Sequence, residues 1–457
     1  MNYLECPMYL WLSKHRPEQL PDDDAQKERI LAAGREVDEL AKQLFPVDSG
    51  VLIQPTATAG ELLARADMLV PAAGGFFDMH EVKMATKVKK EYLYDLGFQK
   101  ICFENAGKKI GRLKLVHING NYVRHGAINP VELFEVEDIT EEVEELLPEI
   151  KDEIQRALKI MDITDEPSIS LINACKNPKY CDYLEYYVKM SEGIYPLAEN
   201  IQPTQLAHLL EREILDYRKL PAALLEKLGF KPPVAFTQIN IEGIKHELAK
   251  LKFPLYFFDY ETYNYAIPPF DGTKPYQQIP FQYSVHIQEA PGAKPKHVDF
   301  LADAFENPLL KLLEKLAKDV GPKGSIIVWF APFETGRNNE MAAEYPEFSD
   351  LLNSMNERMF DLMLLFKFKN QLYTKSEFKK LASLKVVLPV LCPELSYKDL
   401  AIQEGETASA SWPEMTSEKT PPTQRERLKH DMLEYCKRDT YAMVAILQKV
   451  YNDIKNT

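Results

Sequence analysis

The sequence predicts a mixed α/β protein of more than one domain, and three observations carry that expectation. At 457 residues the chain is longer than one core usually fills, since single cores stop growing at about 250–300 residues. Short apolar runs of strand character, such as Leu255-Tyr-Phe-Phe258 and Ser325-Ile-Ile-Val-Trp-Phe330, alternate with segments of helical period. The longest of those segments, 427–453, lies close to the C-terminus.

The strand predicted over 255–262 organises the C-terminal half, because it carries Asp259-Tyr-Glu261 at its end. Residues i and i+2 of a strand project from one face, so both carboxylates lean toward one point. Two hard oxygen donors converging there suit Mg²⁺ or Mn²⁺. Taken alone, such a pair is a solvated strand end; further acids downstream change its weight. Ala331-Pro-Phe-Glu334 opens a helix after the strand 325–330, which puts Glu334 at a strand-to-helix junction. Asp361 follows the next helix. In the final helix Tyr435 and Asp439 stand four apart and share a face. Tyr260, Tyr263 and Phe281 near the strand are either stacking platforms for a terminal base or core aromatics.

This series resembles the motifs of DnaQ-type 3′→5′ exonucleases, which have an RNase H-like fold. Asp259 and Glu261 match the first motif, and Tyr435 with Asp439 match the third in its tyrosine variant. The second motif is usually Asn-x-x-Phe-Asp; here Phe330-Ala-Pro-Phe-Glu334 has Glu in place of Asp and lacks the Asn, with Asp361 as the reserve ligand. The resemblance implies two divalent ions, Mg²⁺ or Mn²⁺, about 4 Å apart, clamping the attacking and leaving oxygens of a phosphodiester. Asp259 bridges them, Glu261, Glu334 and Asp439 complete the shells, and Tyr435 orients the attacking water.

The N-terminal half begins with an amphipathic helix over 26–45. A hairpin is expected next, with Asp67 on one strand and Glu81 and Lys83 sharing a face of the other. A helix over 91–103 carries Asp95 and Gln99, and strands over 112–118 and 122–127 close the pattern. This order resembles the RecB-type branch of the PD-(D/E)XK nucleases. The likeness implies that Asp67 and Glu81 hold Mg²⁺, that Lys83 stabilises the attacking hydroxide or the developing charge, and that Gln99 contacts substrate. In relatives of that branch an N-terminal cysteine and a later cysteine cluster hold an iron–sulfur group. Cys6, Cys175 and Cys181 match in place, but Tyr186 and Tyr187 stand where a fourth thiolate is expected.

The resemblance therefore divides the chain into a PD-(D/E)XK-like domain (1–194), active or degenerate, a helical linker (195–250) and an RNase H-like domain (251–457). Across nearly its full length the chain resembles a bacterial family catalogued as a domain of unknown function. The function it implies is a metal-dependent nuclease acting on DNA or RNA, single-stranded or with a free 3′ end. The rival from another class is a nucleic-acid-binding scaffold that keeps both folds without catalysis.

Composition sets the outer bounds. A net charge of −14 argues against indiscriminate coating of nucleic acid, though Lys83, Lys87, Lys89 and Lys90, then Lys108, Lys109, Arg112 and Lys114, form local basic strips. Six cysteines in this length do not suggest a disulfide scaffold. No apolar stretch reaches the length of a membrane span and no signal peptide is legible, so a cytoplasmic protein is expected.

Overall fold

The computed structural model describes residues 2–20, 25–46, 48–175, 203–214, 237–378 and 380–456. The chain is mixed α/β and forms two compact units. One comprises 1–232 with 266–275, the other 233–265 with 276–457. The expected linker is thus shared between them: the helix Pro203–Glu211 falls in the first unit and the helix Ile241–Leu248 in the second. No described helix is long and apolar enough to cross a membrane.

In the first unit the strands β1 (Leu52–Ile53), β2 (Thr56–Ala59), β3 (Leu62–Arg65), β4 (Met68–Pro71), β5 (Phe77–Lys83), β6 (Ile110–Ile118) and β7 (Phe134–Asp138) follow one another. Five of them make a mixed sheet of order β1-β4-β5-β6-β7. Only the β5–β6 pair is parallel. The helix Lys90–Asn105 supplies that crossover and buries Leu96, Cys102 and Phe103 against Leu113 and Leu115 of β6. The turn between β4 and β5 uses Gly74 and Gly75 at φ 69° and 77°, a region that favours glycine. The expected strand over 122–127 is absent. That segment is a loop in which Arg124 donates from its guanidinium to the carbonyls of Pro268 and Pro269 at 3.1 and 2.7 Å. The strand paired with β6 is instead β7.

In the second unit come β8 (Thr237–Ile239), β9 (Leu255–Tyr263), β10 (Ile279–Gln288), β11 (Lys296–Leu301), β12 (Ser325–Val328), β13 (Met359–Asp361) and β14 (Tyr373–Lys375). The main sheet runs β11-β10-β9-β12-β13, with its first two pairings antiparallel and its last two parallel. Strand β9 is central and buried along most of its length, which is why its apolar run does not alternate. The helix Leu309–Asp319 buries Leu309, Leu312, Leu313 and Leu316, a stripe of helical period. Each such side chain stabilises by roughly 1.5–3 kcal/mol. The helix Pro422–Asn456 buries Met432, Tyr435, Cys436, Asp439 and Thr440 along one stretch. Thr440 reaches the sheet through hydrogen bonds of 2.8 Å to Ser284 and His286 of β10.

Candidate functional site

Within the second unit, β9 and the long final helix bring the expected acids together. Asp259 and Glu261 lie on one face of β9, opposite Ser284 and Gln282 of β10. The helix meets that face at Cys436, whose Sγ lies 4.0 Å from Asp259 Oδ2. Ligand atoms of Asp259, Glu261 and Cys436 all fall within 4.8 Å of one another. One turn on, Asp439 is buried and accepts a hydrogen bond from the Tyr397 hydroxyl, and the Tyr435 hydroxyl also favours its charged form.

Burial pushes the Asp259 carboxyl well above its usual range, and the nearby charges of Asp439, Glu261 and Glu334 push the same way. Glu261 is raised by burial and by Asp439, against an opposing pull from Lys385. Asp439 is raised to about 6 by burial, despite the two tyrosine hydroxyls and Lys385. Burial also holds the Cys436 thiol well above its ordinary value, leaving a neutral sulfur beside the carboxylates.

Glu334 sits in the first turn of the helix Ala331–Glu344, directly after β12. It is buried, and among the described residues its Oε2 has no hydrogen-bond partner. Burial, with Asp361 adding to it, raises its carboxyl to about 8. Asp361 is engaged differently: its Oδ1 accepts from the Met363 amide at 3.1 Å and caps the short helix Leu362–Leu365. Glu334 is among the charges acting on Asp259, after Asp439 and Glu261, and Asp361 is not. An orphaned buried oxygen beside mutually raised carboxyls fits a hard divalent cation, which prefers oxygen donors.

The aromatics near β9 are core. Phe281 stacks on Trp412 at a centroid distance of 4.9 Å, and Tyr260 is buried with its hydroxyl on Asn338 Oδ1 at 3.0 Å. Tyr263 packs edge-on against Trp412. The reading of the sequence missed Tyr397 as a partner of Asp439. Its signal was faint, a lone tyrosine in Glu394-Leu-Ser-Tyr397. The loop is held to the helix by Arg438, which donates to the Ser396 carbonyl and lies 3.2 Å from Asp399.

The first unit assembles a second acidic group. The β4–β5 register pairs Met68 with His80, which sets Asp67 opposite Glu81. Asp67 Oδ2 accepts from the Val82 amide at 2.8 Å. Lys83 Nζ lies 2.7 Å from both Glu81 Oε1 and Asp95 Oδ2. Gln99 Nε2 donates to Glu81 Oε2 at 2.9 Å, so its amide is held by an acid of the site. Burial raises Glu81 to about 8 and raises Asp67, while Lys83 opposes both. Although burial works against its charge, Glu81 and Asp95 keep the Lys83 ammonium above its ordinary value. Asp95, noted in the sequence only as a helix residue, and Asp38 of the helix Ala25–Lys42 both add to the group. Asp38 raises Asp67, and its own Oδ1 is buried without a hydrogen-bond partner among the described residues. Its signal was an acid next to Val37 on the buried side of that helix.

Cys6 and Cys175 are joined as a disulfide, with Cα atoms 4.1 Å apart, in a cluster with Trp11, Leu12, Ile172 and Leu209. Cys181 lies outside the described residues. Of the basic strip, Lys83 is taken up by its two acids, and Lys108 and Lys109 lie over the rings of Phe77 and Phe76.

Residues 256–383 match the family described as domain of unknown function DUF2779. The match contains Asp259, Glu261, Glu334 and Asp361 and stops before Tyr397, Tyr435 and Asp439. Similar proteins include the uncharacterized protein UU173 of Ureaplasma parvum, 28% identical over 229 residues, which are 45% of this chain and 33% of that protein. The uncharacterized protein MG366 homolog of Mycoplasma pneumoniae is 26% identical over 213 residues, 43% of this chain and 32% of its own length. The uncharacterized protein MG366 of Mycoplasma genitalium is 22% identical over 226 residues, 46% of this chain and 34% of its own. The chain thus matches about a third of the length of these curated relatives. No solved structure matches it.

Proposed function

We propose that the protein is a metal-dependent nuclease whose C-terminal unit hydrolyses phosphodiester bonds of DNA or RNA from the 3′ end. The observation that carries this reading is the meeting of Asp259 and Glu261 on β9 with the final helix at Cys436, where Asp439 and Glu334 also act on Asp259. The strand order β11-β10-β9-β12-β13, antiparallel then parallel, supports an RNase H-like unit. Bound Mg²⁺ or Mn²⁺ would supply Lewis acidity and a more acidic water at neutral pH.

The chain's own residues divide the remaining work. Asp259, Glu261, Glu334 and Asp439 would hold the ions. Tyr397 orients the Asp439 carboxylate through its hydroxyl, and a ligand so held binds metal more tightly. Tyr435 would also position the attacking water, since its phenol stays protonated at neutral pH. In the N-terminal unit, Asp38, Asp67, Glu81, Asp95 and Lys83 support a PD-(D/E)XK-like centre with Gln99 in a positioning role.

The test is degradation of end-labelled single-stranded DNA and RNA with Mg²⁺ or Mn²⁺, comparing wild type, Asp259→Ala, Glu81→Ala and the double variant. Loss of nucleotides one by one from the 3′ end that vanishes with Asp259→Ala supports the reading. Activity that survives Asp259→Ala and disappears with Glu81→Ala moves the chemistry to the N-terminal unit. Tight binding without cleavage by the wild type would leave a nucleic-acid-binding scaffold.

A further inference from the structure

We infer that Lys385 is a substrate-binding residue of the C-terminal site, taking a phosphate of the incoming nucleic-acid strand. This inference rests on the nuclease reading above and adds to it the group that receives the polyanion.

Lys385 is exposed and lies in the first turn of the helix Leu384–Leu391, an element that bears none of the acids. Its Nζ sits 5.8 Å from the Tyr435 ring centroid and 6.0 Å from that of Tyr397. Tyr397 hydrogen-bonds Asp439, and Tyr435 precedes Asp439 by one turn of the final helix. The ammonium is therefore held at the lip of the acidic group by two aromatic faces. It is close enough to act on Glu261 and Asp439, yet it makes no ion pair with either among the described residues.

That arrangement is informative because a lysine serving only as a counter-ion would close onto a carboxylate. The acids of the site repel a phosphodiester, and an unpaired cation at their edge offsets the repulsion where the strand must enter. Lysine acts on phosphate as a point charge on a flexible stem, so a position set by ring faces suits it.

The experiment measures KM and kcat of wild type, Lys385→Ala and Lys385→Arg on a 3′-labelled oligothymidylate at saturating Mn²⁺, over a range of salt. The alanine variant is expected to raise KM about tenfold, leave kcat within about threefold, and flatten the salt dependence by about one phosphate contact. Arginine should restore KM. An unchanged KM and salt slope in a folded alanine variant would overturn the inference while leaving the nuclease reading intact. If the wild type cleaves nothing, the nuclease reading fails. Binding of the same fluorescent oligonucleotide in Ca²⁺ then decides for Lys385, with equal affinity of wild type and alanine variant against it.

Discussion

Tyr397 and Asp439, 42 residues apart in sequence, share a hydrogen bond inside the second unit, the tyrosine hydroxyl donating to Asp439 Oδ1. It fixes a carboxylate that burial would otherwise leave protonated more readily, and Tyr435 favours the charged form as well. Tyr397→Phe keeps the packing and removes that donor. The expected result is a rise of about tenfold or more in the Mg²⁺ concentration needed for half-maximal binding. Titration calorimetry checks it, and an unaltered Mg²⁺ affinity would assign Tyr397 to packing alone.

Glu334 and Asp361 should separate cleanly. Glu334→Gln is expected to lower cleavage at least about a hundredfold with little loss of stability, since the neutral amide no longer serves as an anionic ligand. Asp361→Asn should lose up to about 1 kcal/mol through its weakened cap and retain most activity. Paired activity and urea-denaturation measurements on the two variants decide it; the opposite pattern would make Asp361 the ligand.

The metal-free protein should become less stable as pH rises. Glu334 keeps its proton to about pH 8 in the folded state, against an ordinary value of 4.5. Between those values the folded chain binds more protons than the unfolded one, so raising pH costs stability. Asp439, held at about 6, and Glu81, at about 8, act in the same direction. Thermal melts in chelator should show Tm falling between about pH 5 and pH 8. Added Mg²⁺ should raise Tm most at the upper end, and Glu334→Gln should flatten the slope. A Tm that climbs across this range would contradict the account.

Gly324 opens β12 at φ 96°, and a Cβ there would meet the Pro254 carbonyl oxygen at 2.1 Å. Backbone cannot swing aside as a side-chain tip can. Gly324→Ala should therefore cost about 3 kcal/mol or more, and it should shift the strand that leads to Glu334. Gly336, in a helix with nothing near its missing Cβ, is the control. Gly336→Ala should stabilise by about 0.5–1 kcal/mol. Equal effects of the two substitutions in chemical denaturation would show that the close approach at Gly324 relaxes.

Much of the fold was legible in local patterns. The long final helix follows from side-chain period, because burial on one face repeats at the spacing of the element, and β9 reads as a short apolar run. The same reasoning misplaced the strand at 122–127, where pairing with β6 falls to β7 and the segment stays a loop. Choice of pairing partner is a non-local decision, and sequence period does not encode it.

Local backbone geometry alone puts Asp259 and Glu261 on one strand face and Tyr435 and Asp439 on one helix face. That these faces meet, that Glu334 adds to the charge felt by Asp259 while Asp361 serves as a cap, and that Tyr397, Cys436 and Lys385 stand around them follows from packing. Asp38 and Asp95 joined Asp67 and Glu81 in the same manner. The physical reason is common to all: a carboxyl's neighbours, burial and proton affinity are set by elements distant in sequence, and those are fixed only when the sheets and helices pack.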